Sequence, residues 1–149
     1  MKTIEEINEL TSKIIGAAIK VHEEMGPGVY ESVYQRCMEV QLRRDGLAAQ
    51  AQVPVPIFYC GEKITDEGFR IDLLVEDTVV IELKSVEAVK RVHKKQVLTY
   101  LRLAQKPVGL LINFNECCLK DGVHRIVDTP RDKRTFSRLT SWLLALLGF

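Results

Sequence analysis

Gly68-Phe69-Arg70-Ile71-Asp72-Leu73-Leu74-Val75-Glu76-Asp77-Thr78-Val79-Val80-Ile81-Glu82-Leu83-Lys84-Ser85 reads as two β-strands, Gly68 to Val75 and Val79 to Ser85, closed into a hairpin at Glu76-Asp77-Thr78. Side chains alternate across a strand. On the first strand Phe69, Ile71, Leu73 and Val75 share one face, and Arg70, Asp72 and Leu74 share the other. On the second, Val79, Ile81 and Leu83 oppose Val80, Glu82 and Lys84. A three-residue loop pairs Val75 with Val79, Leu73 with Ile81, Ile71 with Leu83, and Asp72 with Glu82. A two-residue loop would set Leu73 against Glu82 and mix both faces. A one-residue slip turns every side chain over, so the apolar pattern selects the first register. Asp72 and Glu82 then lie side by side, with Lys84 next to them.

That juxtaposition is costly without a purpose. Like charges opposite one another destabilise a sheet, and burying unpaired charge costs on the order of several kcal/mol. A divalent cation relieves the repulsion. Mg²⁺ favours oxygen ligands and is held by one or two carboxylates plus water and substrate phosphate; Lys84 would position water or steady phosphate charge. A lone Glu-x-Lys on a strand is more often a salt bridge, so other residues must decide between the two readings.

Upstream, Thr3-Ile4-Glu5-Glu6 forms a capping box, and Ile7, Leu10, Ile14, Ala17 and Val21 recur at helical spacing. This predicts a helix ending near Met25, stopped by Gly26-Pro27-Gly28. A second helix runs from about Tyr30 to Asp45, with Glu31 in its first turn, where a carboxylate suits the helix dipole. Tyr34 is one turn on, on the same face. Val53 to Tyr59 reads as a strand whose Pro54 and Pro56 cannot donate to a ladder, which places it at an edge. Downstream, a third helix is predicted from about Val86 to Gln105, then strands over Val108 to Phe114 and Leu119 to Val127, then a helix over Thr135 to Leu147. The expected fold is mixed α/β, a central mixed sheet flanked by helices, in one domain over 1–149.

On the third helix Gln96 and Tyr100 are four residues apart and project together, and His93 joins that face. Lys90, Arg91, Lys94 and Lys95 cluster at its start, close after Lys84, where contact with phosphate is plausible. A solvated charged face is the plainer reading of such a run.

The 149 residues carry a formal net charge of +1, with 46% hydrophobic and 28% charged residues. These values fit a folded globular domain and exclude a chain that coats nucleic acid by bulk charge. The charged start and the lack of a long apolar run predict neither signal peptide nor membrane span, hence a cytoplasmic location. Cys37, Cys60, Cys117 and Cys118 form no CxxC pair and read as reduced thiols. The apolar end, Trp142 to Phe149, suits core packing, with homodimerisation as the alternative.

Together these pieces resemble the PD-(D/E)XK nuclease superfamily, whose restriction-endonuclease-like core carries Asp on one strand, Glu/Asp-x-Lys on the next, and often Glu on an earlier helix. Here those are Asp72, Glu82-Leu83-Lys84 and Glu31; Ile71 stands where a proline precedes the Asp. Gln96-Val97-Leu98-Thr99-Tyr100 is similar to the Gln-x-x-x-Tyr motif of the RecB-like branch. Gly28-Val29-Tyr30-Glu31-Ser32-Val33-Tyr34 is similar to the hallmark of the small GxxExxY proteins. The resemblance extends from about Ile14 to Phe114. It implies Mg²⁺ or Mn²⁺ held by Glu31, Asp72, Glu82 and the Leu83 carbonyl, Lys84 as the catalytic lysine, Gln96 and Tyr100 orienting the site, and hydrolysis of nucleic acid, DNA foremost. The cysteine spacing does not match the iron–sulfur clusters of some members. The alternative is a catalytically silent nucleic-acid-binding or regulatory module on the same fold.

Overall fold

The structure, a computed structural model, describes residues 1–128. The helix expected over Thr135 to Leu147 and the apolar end from Trp142 lie outside the described residues. Helix α1 spans Ile4–Met25 and α2 spans Glu31–Arg44. The Thr3 hydroxyl accepts the Glu6 N–H at 3.1 Å, and the Glu6 carboxylate accepts the Thr3 N–H at 2.7 Å. This is the capping box foreseen from the sequence, and it satisfies two donors that would otherwise lack partners.

Strands β1 (Ala49–Tyr59), β2 (Glu62–Val75), β3 (Val79–Lys84), β4 (Val108–Asn113) and β5 (Val123–Val127) form a five-stranded sheet in the order β1-β2-β3-β4-β5. β3 and β4 are parallel, and the other neighbours are antiparallel. Parallel neighbours need a crossover, which α3 (Arg91–Ala104) supplies. β1 lies at the edge, as Pro54 and Pro56 require.

Each sheet face has its own core. Leu10, Ile14 and Val21 of α1 and Tyr34, Met38 and Leu42 of α2 pack with Leu73, Val75, Val79, Ile81, Leu83 and alternate residues of β4. Tyr100 and Leu101 of α3 pack with Val55, Ile71, Leu74 and Val80. α3 can lie close to β4 because Gly109 has no side chain: a Cβ there would meet Val97 Cγ1 at 2.6 Å. Burial of such apolar surface, worth roughly 25 cal/mol per Å², is the main force holding both layers to the sheet.

Three expectations are corrected. Phe69 and Ile71 do not share a face with Leu73 and Val75; they join the α3-side core with Leu74 and Val80. The alternation therefore switches sides between Ile71 and Leu73, at Asp72. Helix α3 begins at Arg91, not Val86. The intervening chain is held otherwise: the Ser85 hydroxyl donates to Val29 O at 2.8 Å, and buried Asn113 both accepts the Val86 N–H at 3.1 Å and donates to its carbonyl at 2.8 Å. Finally, Leu119–Gly122 is one 3₁₀ turn, and only Val123–Val127 is strand.

Candidate active site

The β2–β3 pairing keeps the predicted register at Leu73↔Ile81, Leu74↔Val80 and Val75↔Val79, and the ladder stops there. Continued regularly, it would pair Asp72 with Glu82 and Ile71 with Leu83. Instead, the Leu83 N–H donates to Asp72 Oδ2 at 2.9 Å. The Asp72 carboxylate thus takes the place a β2 main-chain carbonyl would hold, and the strands fork. The two acids occupy the mouth of that fork.

Glu82 is only 6% exposed. Its Oε1 lies 3.6 Å from Lys84 Nζ, and its Oε2 is buried with no hydrogen-bond partner. Burial, and then the nearby Asp72 charge, push its carboxyl up to about 8, against the smaller opposing effect of Lys84. Burial also raises Asp72, partly offset by the Leu83 N–H, Lys84 and Gln52, while Glu31 pushes it further up. The salt bridge foreseen as the plain reading is present, but it leaves a buried acceptor unsatisfied, a costly arrangement.

Glu31 reaches the site from the start of α2. It acts electrostatically on both Asp72 and Glu82, and its Oε1 accepts the Ser85 N–H at 3.2 Å. Tyr34 serves a different end. Its buried ring stacks on Phe114, with centroids 4.4 Å apart. Its hydroxyl donates to Gly26 O and accepts the Val29 N–H at 3.1 Å. It therefore fixes the turn that delivers Glu31.

On α3, Gln96 Nε2 donates to Tyr100 Oη at 2.8 Å. Burial, then Glu82 and Asp72, push the Tyr100 hydroxyl up to about 12. The predicted pair therefore does border the carboxylates. His93 is used locally, its Nδ1 accepting the Lys90 N–H at 3.0 Å. Lys90, Arg91, Lys94 and Lys95 are exposed. Lys84 acts on both Asp72 and Glu82, and Lys94 acts on His124 of β5.

Sequence reading missed Gln52, whose Nε2 donates to Asp72 Oδ1 at 3.4 Å, and Asn113, which clasps the chain after Lys84. Neither sits in a recognisable motif; only the assembled sheet brings them in.

The arrangement suits a hard cation. Two acids, one carrying a bare buried oxygen, share a small volume. The N–H and C=O of a residue in an extended strand project the same way, so the Leu83 carbonyl faces the fork alongside its N–H. Among the described residues no three His, Cys, Asp or Glu side chains form a ready-made metal-binding group. The fit is that of a site with two carboxylates completed by carbonyl and water, which is how Mg²⁺ is commonly held.

A profile of the PD-(D/E)XK nuclease superfamily matches residues 8–126. The chain belongs to the PD-(D/E)XK nuclease superfamily. The match covers α1 through β5 and so takes in the whole fork. No curated protein and no solved structure matches the chain. The mixed sheet flanked by helices is the architecture this superfamily leads one to expect. Among the described residues no helix is long and apolar enough to cross a membrane.

Proposed function

We propose that this PD-(D/E)XK protein is a Mg²⁺- or Mn²⁺-dependent nuclease that hydrolyses phosphodiester bonds of nucleic acid, with DNA as its substrate. The observation that carries the reading is the unpartnered, buried Glu82 Oε2 beside Asp72. The buried Oε2 needs a proton or a second cation, which the Lys84 contact at Oε1 does not supply.

Asp72, Glu82 and the Leu83 carbonyl would hold the ion, with Glu31 completing its surroundings. When bound, the cation polarises the phosphoryl oxygen and stabilises charge on it. Lys84 steadies negative charge on the phosphate and helps to place the attacking water. Tyr100, held by Gln96, stays protonated at neutral pH and so can donate a hydrogen bond at the carboxylate rim. The Gly28-Val29-Tyr30-Glu31-Ser32-Val33-Tyr34 segment and the Gln96–Tyr100 pair support placing the chain among the GxxExxY proteins, on the RecB-like side; the reading takes it as one domain acting in the cytoplasm.

One experiment tests the reading. Purified protein is incubated with single-stranded DNA, duplex DNA and RNA, with Mg²⁺, Mn²⁺ or chelator, alongside Lys84→Ala and Asp72→Ala. Cleavage that needs the metal and is lost in both variants is expected. No cleavage by wild type under any condition, together with retained nucleic-acid binding, would favour the silent binding module. The specific observation on that side is the formal net charge of only +1, which leaves the exposed cluster at the start of α3 as the main basic surface for a substrate.

A further inference from the structure

We infer that Gln52 is a positioning residue of this site: from the edge strand it fixes the rotation of the Asp72 carboxylate and ties it to α2. The inference rests on the metal-site reading above. Between Ala49↔Val75 and Val55↔Phe69 the β1–β2 pairing omits one pair, Gln52 with Asp72. The omission coincides with a backbone distortion confined to a single residue. Gln52 has φ +52°, in the left-handed region that residues with a side chain seldom adopt. Ala51 and Val53 on either side pair normally.

The distortion has a chemical result. Both protons of the Gln52 amide nitrogen are used: one goes to Asp72 Oδ1 at 3.4 Å, the other to Gln35 Oε1 of α2 at 2.6 Å. The other Asp72 oxygen accepts the Leu83 N–H of β3 at 2.9 Å. Each carboxylate oxygen is therefore held from a different strand, and the group cannot rotate without losing a donor. Each oxygen keeps acceptor capacity to spare for a cation. Outer partners of this kind orient ligating carboxylates, and their removal weakens metal binding. Glycine would adopt the same backbone with no strain. A strained glutamine standing there instead is an outlier of the sort that gathers at functional sites.

A purely architectural role, tying α2 to β1 through Gln35, makes a different forecast, and glycine separates the two. Wild type, Gln52→Gly and Gln35→Met are titrated with Mn²⁺ by calorimetry and melted in chelator. The expected result is a Gln52→Gly protein that melts at or above the wild-type temperature, since glycine relieves the backbone, yet binds Mn²⁺ about tenfold more weakly. Gln35→Met, which loses only the outer link, should show a smaller loss. Gln52→Gly protein that binds Mn²⁺ as tightly as wild type, or weakens only in step with a lower melting temperature, overturns the inference. Wild type that binds no Mn²⁺ overturns the metal-site reading, and the positioning role falls with it.

Discussion

Leu83 gives its N–H to the side chain of Asp72, at 2.9 Å, at the point where the β2–β3 ladder ends. One hydrogen bond thus both closes off the strand pairing and aims an acid. Asp72→Asn retains an acceptor for that N–H and removes one of two crowded charges. It should fold, with stability equal to or above wild type, bind Mn²⁺ at least about tenfold more weakly, and show no cleavage. Calorimetry and a thermal melt check both halves.

The pH dependence follows from Glu82, raised from its ordinary 4.5 to about 8. Between those values the folded protein holds a proton that the unfolded chain has released. Stability is therefore full below about pH 4.5, falls as pH rises toward 8, and levels off above it. The loss should be on the order of a few kcal/mol. Thermal melts of metal-free protein across pH 5 to 9 read this out. Glu82→Gln should flatten the slope, and Mg²⁺ should restore stability most at the alkaline end, where no proton competes.

Lys84 is largely buried against Glu82. Lys84→Met keeps the aliphatic stem and removes the charge. It should cut turnover by roughly 10²- to 10³-fold while leaving a metal site that still binds. Arginine should not rescue it, because a wide planar head does not replace a compact ammonium. Single-turnover cleavage with a Mn²⁺ titration separates the two effects.

Tyr34→Phe deletes only the hydroxyl that spans Gly26 O and the Val29 N–H. The stacked ring stays, but a half-buried N–H loses its partner, at a cost of about 1 kcal/mol. A melting-temperature drop of several degrees is expected. Because the same turn delivers Glu31, the Mn²⁺ requirement for cleavage should rise as well.

Much of this site could be read in advance, and the limits have physical causes. The register over Leu73–Ile81, Leu74–Val80 and Val75–Val79 was legible because these positions are apolar, and a wrong pairing would have exposed them. The edge position of β1 was legible because proline lacks an N–H. The switch of Ile71 to the α3 side was not, since strict alternation cannot reveal a local distortion opposite Gln52. Nor was the start of α3. Val86 to Lys90 contains no helix breaker, but both the N–H and the C=O of Val86 are taken by Asn113, 27 residues away along the chain.

The fork draws its parts from far along the chain: Glu31 from α2, Gln52 from β1, Asp72 and Glu82 from either side of the hairpin turn, Tyr100 from α3. Contacts so distant in sequence form late and together. A chain emerging during synthesis therefore carries the acids well before it can bring them into one place. Any cutting ability arrives all at once with the finished sheet and leaves with it when the sheet opens, so partly folded chains should be harmless to the nucleic acid around them.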